Sequence, residues 1–208
     1  MVVRTLPWAV GLPVAAVGAG VLAQYPYGMW IGVLLGLAVA ATAPILAGVV
    51  WHRSGAASLA VLAALALPFF AGPAVYEVYL KTAGDQVDAV VTAAEEVPSP
   101  KGSDLSACHA VDEAGKEWDL GQRQNCFGQF EPGQKVVLHQ DPLGGLDPWI
   151  EPGRDKAIEP TAPALTVGLF ALCCGALFWA GVKRRTEAEA VAAKGRRHGP
   201  PRAAESAE

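Results

Sequence analysis

The chain has 208 residues, 52% of them hydrophobic and 17% charged, with a net charge of −4 and four cysteines. Soluble proteins average about 25% charged residues, so this composition leaves no room for a large water-soluble core. Charge is uneven: residues 81–160 hold 7 Lys/Arg against 15 Asp/Glu, while residues 183–208 hold 7 against 4, and so acidic a central segment argues against nucleic-acid binding.

In chain order, the first three elements are apolar segments at residues 6–23, 29–50 and 57–76, and a fourth follows at 164–182; none contains Asp, Glu, Lys or Arg. A hydrocarbon layer about 30 Å thick needs about 20 helical residues to cross it, and each segment is near that length. The fold class that follows is an α-helical membrane bundle of four transmembrane helices with an inserted small antiparallel β domain. Its divisions are residues 1–80 (three helices), 81–160 (β domain), 161–182 (fourth helix) and 183–208 (tail).

Val21-Leu22-Ala23 before Gln24 also has the small-residue spacing of a signal-peptide cleavage site. The segment is long for a signal core and the next span begins within a few residues, so a retained helix is the preferred reading. Arg4, His52, Arg53 and Lys183-Arg184-Arg185 flank the spans, and the 24–28 loop has no basic residue. By the positive-inside rule both termini are then cytoplasmic and residues 81–160 extracytoplasmic, in a multi-pass protein of the cell membrane. Lys81 is the exception to this pattern. Trp8, Trp51 and Trp179 near one set of span ends, and Tyr25, Tyr27, Trp30, Tyr76 and Tyr79 near the other, fit headgroup-level aromatic belts.

Glu77 reads as a solvated rim residue, and Pro13, Pro44, Pro68 and Pro73 as local kinks that a bundle tolerates. Small residues four apart (Ala16/Gly20, Gly32/Gly36, Ala60/Ala64, Ala171/Gly175) suit close helix packing, within one bundle or between copies. With no ionisable group inside the spans, a transporter ranks last.

From Gly84 the pattern becomes β-like. Residues 86–93, 106–113, 116–121 and 134–140 read as strands, giving four or five in a small barrel or curled sheet. Residues 95–104 are a loop with two prolines. Ala114-Gly115 is a candidate two-residue hairpin turn, which sets Val111 across from Trp118. Cys108 and Cys126 are the only cysteines of the segment; outside the cytoplasm such a pair is a disulfide candidate, contributing about 3 kcal/mol in the chain-entropy model. Two separate buried thiols are the alternative. His109 and His139 could join them in a metal site, but adjacent strand residues such as Cys108 and His109 face opposite ways. Cys173-Cys174 lie mid-span and read as packing residues.

Residues 186–194 continue as a helix with Gly195 as its C-cap candidate, ahead of a disordered tail whose basic cluster orients the chain.

The order of spans, the Gly84-Asp85-Gln86-Val87-Asp88 opening, the Asp112-Glu113-Ala114-Gly115-Lys116 hairpin, Glu131-Pro132-Gly133-Gln134-Lys135 and Asp141-Pro142 together resemble a bacterial family of multi-pass membrane proteins of unknown function. The likeness covers about residues 84–141 and rests on turn residues. It implies a compact extracytoplasmic β module tethered to the bilayer and transfers no catalytic residue.

No catalytic residue, cofactor site or metal site is assigned. The leading function is non-enzymatic, with the β module serving protein interaction or envelope-complex assembly; the partners are the lipid bilayer and a membrane or envelope protein or a second copy, with no nucleic acid. The alternative is a membrane-bound redox or metal-dependent enzyme using Cys108, His109, Cys126 and His139. Ser99, Ser103 and Ser106 lack a nucleophile-elbow motif.

Overall fold

Residues 2–83 form three helices that run back and forth beside a fourth from the chain's far end. These are α1 (Val2–Leu22), α2 (Met29–Pro44), α3 (Ser54–Ala83) and α4 (Thr161–Val182). The computed structural model describes residues 2–97, 105–154, 157–184, 186, 188 and 189. All four helices, with the π-helical extension of α2 at Ile45–Val50, are long and apolar enough to cross a membrane, which points to a membrane protein. The π stretch begins directly after Pro44, whose missing N–H breaks the regular ladder.

The bundle is built with small residues inside and large ones outside. Ala16, Ala43, Ala47, Ala60, Ala64 and Ala180 are fully buried, while Leu34, Phe69 and Val167 are each about two-thirds exposed or more. Water would penalise that arrangement, whereas lipid tails would not. The tightest crossing joins α1 to α3: a Cβ on Gly20 would fall 2.5 Å from the Pro68 carbonyl oxygen, and one on Gly72 would fall 2.5 Å from that of Gly20. Ala16, Gly20, Gly32, Ala60 and Ala64 thus serve packing as expected, but Ala171 and Gly175 lie on an exposed face of α4.

Five strands follow: β1 (Asp85–Val97), β2 (Leu105–Asp112), β3 (Glu117–Gly121), β4 (Lys135–Gln140) and β5 (Trp149–Glu151). They form one antiparallel sheet in the order β3-β2-β1-β4-β5. It is a curled open sheet with β3 and β5 at its edges. The short β5 has no counterpart among the strands read from the sequence. One face carries the module's core, including Ala89, Val91, Cys108, Ala110, Leu120, Val136, Leu138 and Ile150. A bulge between Val91 and Ala93 restores this alternation, setting Ala94 opposite Cys108.

The β2–β3 hairpin differs from expectation. Ala110, not Val111, pairs with Trp118, and Val111 pairs with Glu117. The Asp112 carboxylate accepts hydrogen bonds from the backbone N–H of Ala114 (3.0 Å) and Lys116 (2.9 Å), while Gly115 takes the left-handed conformation at φ 79°. This three-residue loop shifts the register by one and turns Trp118 to the core face, where its indole N–H donates to Asp112 (3.0 Å).

Residues 95–97, expected in a loop, instead extend β1 and pair with residues 105–107 of β2; residues 98–104, Gly195 and the basic tail lie outside the described residues. At the start of the expected 186–194 helix, Thr186 N–H donates to the Glu189 carboxylate (3.0 Å) and Glu189 N–H donates back to the Thr186 hydroxyl (3.4 Å). These two bonds form a capping box.

Candidate functional site at the junction of helix and sheet

The second face of the sheet is where helix and module meet. Residues 136–139 of β4 are buried on both sides. His139 and Trp149 sit directly opposite one another, as do Val137 and Glu151, on the face opposite the Leu138/Ile150 core. The last turns of α3 approach that side. This helix spans 30 residues, or about 45 Å, well beyond the about 30 Å of a hydrocarbon layer. Its charge-free stretch ends at Tyr76, yet the helix continues because its next polar residues find partners on the sheet.

Glu77 is therefore not a solvated rim residue. It is only 8% exposed, and Lys81, one turn further on, only 4%. The Lys81 ammonium lies 2.8 Å from Glu77 Oε1 and 2.6 Å from Glu151 Oε1, and donates to the Ala157 carbonyl at 2.6 Å. The other oxygen of Glu151 is 3.2 Å from His139 Nε2, and His139 is fully buried. An ammonium has three protons, and here each has an acceptor. The ammonium is fully engaged by protein acceptors, so the cluster works as a clamp between α3 and β5.

Aromatic residues enclose the clamp. The Trp149 ring lies 5.9 Å from the Lys81 ammonium and makes an edge-to-face contact with Tyr76 at 5.9 Å. The Tyr76 hydroxyl donates to the Asp147 carbonyl (2.6 Å), and that of Tyr79 to Asp141 Oδ1 (2.8 Å). Asp141 in turn accepts backbone N–H groups from Leu143, Gly145 and Leu146. Burial pushes its pKa up, but these hydrogen bonds outweigh burial and hold the carboxyl below its ordinary value. Asp112 is likewise lowered, chiefly by the bond from the Trp118 indole.

The sequence-derived candidates fall elsewhere. Cys108 and Cys126 form a disulfide with their Cα atoms 6.1 Å apart, and both are fully buried against the module's core. His109 points to the exposed face, with Nδ1 2.5 Å from Asp119 Oδ1. It registers with Ala93 of β1, whereas His139 registers with Gln86; seven strand residues separate them, about 23 Å. The four Cys and His residues therefore do not converge, and the described residues contain no group of three or more His, Cys, Asp or Glu able to hold a metal. Cys173 and Cys174 are free thiols, the first buried in the bundle core.

Comparison with known proteins adds no identity. No family model, curated protein or solved structure matches this chain. The junction's geometry has to carry the functional reading.

Of the clamp, the Glu77/Lys81 spacing was open to view in the sequence, since residues four apart share a helix face. Glu151 was not, because it belongs to the three-residue β5.

Proposed function

We infer that the protein is a multi-pass membrane protein of non-enzymatic function that holds its β module rigidly outside the cytoplasm as a docking platform for a membrane or envelope protein. The observation that carries this reading is the buried Glu77–Lys81–Glu151 clamp. Only one glycine separates α3 from β1, and the clamp closes the remaining freedom between them. A tethered enzyme domain needs no such fixation, whereas a surface that must meet a partner at a set height above the bilayer gains from it.

Support for the orientation comes from the basic residues. Arg53 lies over the Trp179 ring at 5.2 Å and donates to the Lys183 carbonyl, so the 2–3 loop and the end of α4 meet at the bundle end remote from the module. Lys and Arg gathered in a short loop and a span flank at that end is the pattern of a cytoplasmic face. The likeness to bacterial membrane proteins with a small extracytoplasmic β domain belongs to the same proposal.

The test uses cells expressing the full chain with Cys173→Ser and Cys174→Ser and a single new thiol. L143C, at an 85% exposed position, should react with an impermeant maleimide and K183C should not; the reverse would overturn the orientation. A photocrosslinker at position 143 should then give one discrete protein adduct that weakens when Lys81→Met frees the module. Absence of any adduct from positions across the module would overturn the docking role.

A further inference from the structure

A cleft of about 600 Å³ opens along the bundle between α2 and α3 and ends beneath the β module. Its volume is in the range of ligand-binding clefts, about 300–1,000 Å³. Small residues such as Gly32, Gly36 and Ala64 line its walls together with large apolar ones such as Leu37 and Phe69, so the body of the cleft is hydrocarbon. The module end is different. There Gln24, Gln122, Arg123 and Trp149 line it, and no Asp or Glu does.

Arg123 is exposed and forms none of the ion pairs found among the described residues. The Trp149 ring supplies an aromatic wall beside it. An unpaired cation at the mouth of an apolar channel matches one chemistry: an acyl chain carrying an anionic, oxygen-rich head.

We propose that this cleft is a binding site for an anionic glycerophospholipid, with one acyl chain between α2 and α3 and the head's phosphate oxygens accepting from Arg123. The proposal rests on the membrane reading above, since only a bundle within the bilayer would meet such a ligand in the plane of the cleft. The module is acidic overall, so any preference for an anion must come from Arg123 locally against a repulsive background.

Full-length protein is reconstituted into nanodiscs of equimolar phosphatidylglycerol and phosphatidylcholine, released, and weighed by native mass spectrometry. The wild type should retain phosphatidylglycerol about fivefold over phosphatidylcholine, the worth of one basic residue at a membrane surface. Arg123→Gln, at an exposed position without an ion pair among the described residues, should bring the two lipids to parity. Gly36→Leu should reduce both adducts, because its Cβ is accommodated at 3.8 Å from Pro68 Cγ while the rest of the side chain fills the cleft. Equal retention of both lipids by the wild type, or a preference that survives Arg123→Gln, would overturn the site, as would a lipid-free dimer that places a second copy in the cleft. A chain that fails to enter nanodiscs and stays soluble would overturn the membrane reading itself, and the site with it.

Discussion

Lys81→Met tests the clamp directly. Methionine keeps the length of the apolar stem and removes only the ammonium, whose side chain is 5% exposed between carboxylates exposed to 10% and 11%. Both carboxylate oxygens sit against the same nitrogen, so the substitution leaves two like charges within about 6 Å of each other, close enough to repel strongly. Removing one partner of a buried ion pair typically costs about 3–5 kcal/mol. For a unit of this size each kcal/mol lowers Tm by about 4–8 °C, so a fall of about 12 °C or more is expected. Trp149 sits beside the lost charge, and its fluorescence during thermal unfolding in nanodiscs reports the event. Adding Glu77→Gln and Glu151→Gln to the same chain should recover most of the loss, because the orphaned charges then disappear. A fall of about 4 °C or less for Lys81→Met, the size expected of an exposed pair worth under about 1 kcal/mol, would refute a buried clamp.

Alkylation of denatured protein without reductant should modify only Cys173 and Cys174, and all four cysteines after reduction; the double variant C108S/C126S should lose about 3 kcal/mol in chemical unfolding of the module. Asp141 and Asp112 are held below the ordinary carboxylate range when folded, so their contribution is complete above the unfolded value of about 3.9 and is lost as pH falls through the folded one. Module stability should therefore decline below about pH 4, and Asp141→Asn should flatten that decline; an unchanged acid profile would count against the Asp141 network.

The architecture was legible because lipid and sheet impose simple patterns. Uncharged runs of about 20 residues mark helices in hydrocarbon, and the four found correspond to α1–α4. The short β-branched run in 134–140 marked β4, and the lone cysteine pair of the segment marked the disulfide. Two features broke the rules of reading. The Asp112 side chain closes the β2–β3 hairpin through backbone N–H groups, which lengthens the loop by one residue and reverses the face of Trp118. The end of α3 could not be placed by hydropathy, since Glu77 and Lys81 past Tyr76 are charged yet stay helical and buried.

That second failure has a physical origin worth following to the site. Hydropathy treats each residue against its solvent, and Glu77 and Lys81 have neither water nor lipid around them; they have Glu151, some seventy residues on, as their environment. A buried ion pair of this kind is neutral or costly compared with apolar packing, so its presence argues for position and not for stability. What it positions is Trp149. The same indole lies over Lys81 at 5.9 Å and also lines the cleft between α2 and α3. Filling the cleft and holding the module are then linked through one side chain: a ligand that packs against Trp149 stabilises the clamped arrangement by the same free energy with which the clamp favours the ligand. Loss of the clamp in Lys81→Met should accordingly weaken lipid retention although Lys81 does not line the cleft, and retention that is independent of the clamp would show the two to be separate.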